Sequence, residues 1–190
     1  MSREPAPSSL GTRHLNGPQT TGRALHNLSQ PVHAMDFTPD VDVTARDGTK
    51  LKADVYRPKT TAKVPALLAV SCYPRQIQNS GAPLGFVEAG ASDFWVSRGY
   101  GHVIANNRGT GGSGGTYSWL DQTEREDIAD LVEWTAVQEW CDGNVGMIGI
   151  SYFAMTQLAG AIEAPTHLKA IFPVAATGDV FEAAWHNGLL

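Results

Sequence analysis

Four short apolar runs constrain this chain more than any other feature: "VPALLAVSCY" from residue 64, "GHVIANN" from 101, "VGMIGI" from 145 and "LKAIFPVAA" from 168. Each has the length of a strand, and none shows the strict alternation of a strand with one wet face, so each reads as a strand covered on both sides. Helical patterns separate them. "DFWVSRGY" predicts a short helix closed by Gly99. "QTEREDIADLVEWTAVQ" carries the clearest 3.6-residue period, with Ile128, Leu131, Val132 and Thr135 on one face and carboxylates opposite. "SYFAMTQLAGAIEA" predicts a third helix. Strands alternating with helices specify an α/β fold, a mostly parallel sheet with helices on both faces. Upstream, "FTPDVDVTARDGTKLKADVYRP" reads as a β-hairpin: Val41 and Val43 alternate with polar residues, "RDG" turns, and Leu51, Ala53 and Val55 resume the alternation up to Pro58.

The 190 residues suffice for one domain with a substantial core, and 42% hydrophobic with 17% charged residues describes a globular chain. A net charge of −5 with scattered basic residues leaves no patch for nucleic acid or an acidic membrane. No apolar run is long enough to cross a bilayer. Residues 1–34, rich in Pro, Ser, Gly and Asn, read as a flexible extension without a secretory pattern, and the expected location is the cytoplasm. There the two cysteines, Cys72 and Cys141, would stay reduced. No H-E-x-x-H, C-x-x-C or carboxylate cluster of metal-binding spacing occurs, so neither a metal nor another cofactor is expected.

The segment "GNVGMIGISYFAM" places Ser151 where a strand turns directly into a helix. A nucleophile elbow needs that arrangement: a serine at the apex, small residues such as Gly149 beside it, and a helix N-terminus to meet developing negative charge. The usual G-x-S-x-G has a second glycine where this chain has Phe153. On pattern alone, Ser151 is either a nucleophile or simply the cap of the helix that follows.

The string "EWCDGNVGMIGISYFAMTQ" resembles the signature of the cocaine esterase, cephalosporin acylase and Xaa-Pro dipeptidyl-peptidase group of α/β-hydrolases. Trp140, Asp142, Gly143, Val145, Gly146, Gly149, Ser151, Tyr152 and Gln157 match it. Position 153 is variable in that signature, and Ala154 stands for its usual glycine. The likeness extends upstream in the right order through "VTARDGTKLKADVYRP", "VPALLAVSCYPR" and "RGYGHVIANNRGTGGSGG", covering roughly residues 37 to 187. It implies that residues 35–190 form the N-terminal part of an α/β-hydrolase domain, truncated before the last strands and lid. It also implies that Ser151 is the nucleophile, and that the Tyr73 hydroxyl and the Tyr152 backbone N–H form the oxyanion hole. The implied substrates are small esters or amides, including acyl or Xaa-Pro peptide bonds.

"GTGGSG", Gly109 to Gly114, formally satisfies a dinucleotide fingerprint, yet no helix starts within it and no lysine follows. The resemblance makes Arg108 and Gly109 a structural turn instead. The triad acid and base are harder to place. Glu163, Asp179 and Glu182 are the downstream acids, His167 and His186 the downstream histidines. Asp179 and His186 have the right order, but a helix over "VFEAAWH" would separate them by about 10.5 Å along its axis, and Asp179 reads better as that helix's N-cap. Glu163 is expected to point to solvent. His167 lies in a turn remote from the serine, His14, His26 and His33 in the extension, and His102 in a strand. In the resembling enzymes acid and histidine lie further along the chain, which implies a hydrolase part without its own triad. The rival reading is a non-catalytic hydrolase domain that serves as a binding or regulatory module. Either way, the strand Lys169 to Val174 would end as an unpaired apolar edge inviting self-association.

Overall fold

The computed structural model describes residues 29–78 and 88–185. The extension up to residue 28 lies outside the described residues, as do His14, His26 and His186. From Val32 onward the chain is tied down: the N–H groups of Val32 and His33 both donate to the Ser97 carbonyl, at 2.8 and 3.1 Å.

The hairpin is strands β1 (Met35–Thr44) and β2 (Lys50–Pro58). Its turn is closed by Gly48 N–H on the Ala45 carbonyl, 2.8 Å, and by the Asp47 carboxylate accepting from Thr49 N–H, 2.9 Å. There follow β3 (Val64–Ser71), the short helices α1 (Arg75–Gln78) and α2 (Ser92–Val96), β4 (Gly101–Asn106) and α3 (Gln122–Ala136). The described chain ends with β5 (Cys141–Ile150), α4 (Tyr152–Ile162), β6 (Leu168–Val174) and α5 (Val180–Ala184). The strands form one sheet in the order β1-β2-β4-β3-β5-β6. β4, β3, β5 and β6 run parallel, and the hairpin adds antiparallel at the β4 edge.

This order sets where a site can form. From β3 the chain moves to β4 on one side, then returns across β3 to β5 and continues to β6. Right-handed crossovers in opposite directions put their helices on opposite faces of the sheet. The core divides accordingly. Leu68, Val70, Val103 and Ala105 pack on Ile128, Leu131 and Val132 of α3, while the alternate residues Ala69 and Ile104 pack with Val96 of α2 and Phe153. The crevice at the carboxyl ends of β3 and β5, where the winding reverses, is where ligands bind in sheets of this kind.

The apolar face read from the period of α3 is buried as expected, but its carboxylates do not all face water. Glu124 and Asp127 are buried, at 4% and 3% exposure. The sequence period placed them opposite the core; the loop preceding α3 folds over them. Strand β6 pairs with β5 alone among the described residues, and Phe172 on it is 70% exposed.

Helix α4 lies close on α3 because Gly160 has no side chain: a Cβ there would overlap Ile128 Cγ2. Gly160→Ala is therefore expected to lose about 1–3 kcal/mol by overpacking, and Ile128→Ala about 2–5 kcal/mol by leaving a cavity. Because the two sites share one volume, the double variant should lose clearly less than the sum, measured by urea denaturation. Additive losses would mean that the helices do not meet at this point.

Candidate active site

Strand β5 and helix α4 join without an intervening loop, and Ser151 is the joint. Its backbone sits at φ 61°, ψ −121°, a conformation that costs a non-glycine residue on the order of 1–3 kcal/mol. Three backbone hydrogen bonds hold it there. Ser151 N–H donates to the Val174 carbonyl on β6 at 3.0 Å, and the Ser151 carbonyl accepts from Ala154 and Met155 N–H at 2.9 and 3.1 Å. The preceding Ile150 N–H donates to the Glu88 carbonyl, 3.0 Å. Ser151 thus occupies the N-cap position, yet its side chain makes no capping bond. Its hydroxyl is left for other chemistry.

The departure from G-x-S-x-G has a steric explanation. A Cβ on Gly149, at φ +142°, would collide with the Phe153 Cβ. The close approach of strand and helix is achieved by deleting the side chain on the strand, and the helix keeps a fully buried phenylalanine. Two polar side chains fasten the same junction. Buried Gln157 donates to the Phe153 carbonyl at 3.0 Å and accepts from Phe172 N–H of β6 at 2.8 Å. Thr156 Oγ1 donates to the Val70 carbonyl of β3, 2.8 Å.

Tyr73 comes from the other side of the crevice, two residues beyond β3. Its ring stands 6.1 Å from the Tyr152 ring and 6.0 Å, edge-on, from Phe153. Its phenol lies near the Ser151 side chain. Burial raises the phenol above its ordinary pKa and the charges of Glu88 and Cys72 add to this, against the opposing effect of nearby Ser151. Tyr73 therefore remains a neutral O–H donor at physiological pH. At 37% exposed, it is not an ordinary core tyrosine. Tyr152 begins α4, so its N–H has no intrahelical acceptor, and its side chain is buried.

A network that the sequence did not announce anchors Tyr73. Arg75, fully buried, donates Nε to Asp54 (3.2 Å) and one terminal nitrogen to Asn106 Oδ1 (2.6 Å) and the Gly111 carbonyl (2.8 Å). Its other terminal nitrogen donates to Asp40 (2.5 Å). Asn106 in turn donates to the carbonyls of Ser71 and Tyr73, 3.0 and 2.8 Å. The one signal available was Asp54, a carboxylate between Ala53 and Val55 in the middle of β2.

The glycine loop makes no phosphate cradle. Gly109 N–H bonds the Gly114 carbonyl (2.8 Å), and Gly114 N–H bonds Lys50 of β2 (2.7 Å). Arg108 clamps the loop to Asp127 (2.8 and 2.6 Å) and Asp47 (2.7 Å), which raises the arginine pKa further.

The structure brings Ser151, Tyr73 and Tyr152 together and places the candidate acids and bases elsewhere. Asp179 caps α5, accepting from Glu182 N–H at 2.9 Å. Glu163 does not point freely to solvent, as its position suggested, but pairs with Arg125 at 3.1 Å; α3 and α4 lie close enough to bring the two together. His167 bonds Glu133, 2.5 Å. His102 is fully buried on Ser92, 2.7 Å, and burial lowers its pKa to about 4. Among the described residues no group of three or more His, Cys, Asp or Glu is placed to hold a metal, and no helix is long and apolar enough to cross a membrane.

This strand order, with a serine at a strained strand-to-helix joint in the switch-point crevice, defines an α/β-hydrolase. The chain belongs to the X-Pro dipeptidyl-peptidase (S15) family, whose model matches residues 47–190. It is 36% identical over 152 residues to the cocaine esterase of Rhodococcus sp. (strain MB1 Bresler), covering 78% of this chain and 25% of that enzyme. It is 27% identical over 202 residues to a putative Xaa-Pro dipeptidyl-peptidase of Bacillus anthracis, covering 86% of this chain and 34% of that protein. Among solved structures, a CocE/NonD family hydrolase from Staphylococcus aureus superposes with a TM-score of 0.68 at 35% identity, over 73% of this chain and 27% of that one. The chain thus spans between a quarter and about a third of the length of these relatives.

Gly149→Ala tests the steric account of the elbow. The added methyl meets a backbone-anchored Cβ that cannot swing aside, at a φ that disfavours side chains, so a loss of about 3 kcal/mol is expected in chemical denaturation. A change under about 0.5 kcal/mol, the range of ordinary surface substitutions, would refute it.

Proposed function

We propose that this chain carries the nucleophile and oxyanion hole of a serine hydrolase acting on ester or amide carbonyls. Ser151 Oγ attacks the carbonyl carbon, and the tetrahedral oxyanion is held by the Tyr73 O–H and the Tyr152 N–H. Collapse expels the alcohol or amine and leaves an acyl group on Ser151, which water then removes. A histidine base and its acid partner, required to take the serine proton and return it to the leaving group, come from outside the described residues. The observation that carries this reading is a strained Ser151 whose side chain makes no capping bond, with the Tyr73 phenol beside it. Family relatives named as a cocaine esterase and as putative Xaa-Pro dipeptidyl-peptidases point to small esters and short peptides as the substrate class. Free Cys72 and Cys141 fit a reducing, cytoplasmic setting.

Two experiments address this. In the natural chain expressed in full from its own gene, Ser151→Ala should lower hydrolysis of a 4-nitrophenyl ester by at least about 10⁴-fold. Tyr73→Phe should cost about 10²–10³-fold, mainly in kcat. Normal turnover by Ser151→Ala would overturn the proposal. Intact mass of the protein from its source cell bears on the rival reading. A mass near 20.3 kDa, with no ester hydrolysis, would favour a non-catalytic binding module.

The open β6 edge carries a separate expectation. Phe172 and Val174 on the strand, with the stacked Phe181 and Trp185 beyond it, are all exposed, and an unpaired apolar edge recruits other chains. The 190-residue polypeptide alone should elute from size-exclusion chromatography above its monomer mass. A monomer at high concentration would count against that.

A further inference from the structure

The buried face of Tyr152 is more elaborate than packing requires. Its phenol oxygen has three partners: it donates to Glu124 Oε1 (2.5 Å) and accepts from Tyr117 O–H (3.0 Å) and Asn107 Nδ2 (3.2 Å). One donated and two accepted bonds exhaust what a phenol can make. The carboxylate beneath it is equally committed. Glu124 Oε1 also accepts from Asn107 Nδ2 (2.6 Å), and Oε2 accepts from Leu120 N–H. Glu124 is itself fixed in the first turn of α3, where Asp121 caps its N–H at 2.8 Å. Each of its neighbours in this network is a donor, so the acceptor-only, ionised form is the one that fits.

This arrangement is costly to the fold. Burial raises the Glu124 pKa above its ordinary value, more than the bonds from Tyr152 and Leu120 lower it. A carboxyl raised in the folded state contributes stability that is present below its unfolded pKa and lost as pH rises through the folded value. Near neutral pH, then, Glu124 is a net burden. A core built only for stability would place an apolar or neutral side chain there.

We infer that Glu124 is a positioning residue: with Asn107 and Tyr117 it grips the Tyr152 phenol and so fixes the Tyr152 backbone N–H at the angle the oxyanion requires. The inference rests on the oxyanion-hole reading above. The amide in question adjoins Ser151, whose strained backbone has no torsional well of its own to return to. A rotation about ψ of Ser151 would carry the amide away from the oxyanion. A buried phenol locked at the far end of the Tyr152 side chain opposes that rotation. Strand β6 holds Ser151 from one side through Val174, and α3 holds Tyr152 from the other through Glu124. Sub-ångström misplacement of such a donor is enough to lower the rate.

Glu124→Gln, in the natural chain expressed in full, separates this role from a structural one. Gln keeps the shape and removes the buried charge. The variant should still unfold cooperatively at pH 7, relief of the buried charge offsetting the loss of one acceptor among these donors; kcat for a 4-nitrophenyl ester should fall about tenfold with KM within twofold, and affinity for a boronic acid that forms a tetrahedral serine adduct should fall in parallel. A folded Glu124→Gln protein with kcat and boronate affinity within twofold of the parent would overturn the inference. Should that variant not fold, Tyr117→Phe decides the same question, since it removes a single bond from a half-buried ring; a several-fold loss of kcat at constant KM is expected, and no change would overturn it. Ser151→Ala in the same assay keeps the outcomes apart. If it too stays active, the oxyanion-hole reading itself has failed; if it is dead while both other variants are normal, only the role of Glu124 has.

Discussion

The passage from β5 into α4 is the tightest constraint in this molecule. A strand that becomes a helix with one residue between them must bring backbone against side chain, and here the strand yields: Gly149 has nothing to offer where Phe153 stands. The consequences spread outward. Phe153 is buried against Ala69, Val96 and Ile104 on the α2 face of the sheet. Gln157, one turn on, bonds back to the Phe153 carbonyl and across to β6. Gly160, at the next turn, admits Ile128 of α3. The register of α4, its distance from α3 and its connection to β6 all follow from the close start.

The opposite wall of the crevice is held by charge instead of by packing. Arg75 is withdrawn from water completely, and two aspartates, an asparagine and a backbone carbonyl replace its hydration. Such a cluster adds little to stability compared with apolar residues of the same volume, but removing one member strands the others. Its partners span β1, β2 and β4, so the N-terminal hairpin is tied to the two residues that precede Arg75. This gives the hairpin a bearing on the site, although it joins the sheet on the side of β3 away from β5. Polar networks of this kind fix one geometry because every alternative leaves a buried group unpaired.

What the sequence disclosed follows the same division. Packing was legible. The apolar runs marked the central strands, the period of α3 marked Ile128, Leu131 and Val132, and Asp179 was recognisable as a cap because capping depends on residues three apart. The strained turn at Ser151 could be located, but no local pattern disclosed that its side chain makes no capping bond. The polar networks were not legible. Arg75 meets Asp54 and Asp40 only after the sheet has brought them together across 21 and 35 residues, and no local pattern encodes that meeting. The same holds for Glu124. Helical period assigned it to the wet face, and the loop through Tyr117 and Leu120, which has no regular period, is what covers it.

The two halves of a serine hydrolase's task make different demands on a chain. Stabilising an oxyanion needs donors fixed before the reaction begins, in a place where reorganisation has already been prevented. Moving a proton needs a group whose pKa lies near the working pH and which can exchange with water. In the proposed mechanism the described residues meet the first demand. Tyr73 is kept neutral, Tyr152 is gripped from below, and the joint at Ser151 is bound on both sides. His102, the histidine in the core, has its pKa lowered to about 4 by burial, too low to serve as base near neutrality. In the proposed mechanism the rigid sheet and its buried networks thus supply electrostatic preorganisation, and the mobile proton is handled by residues that do not share this core.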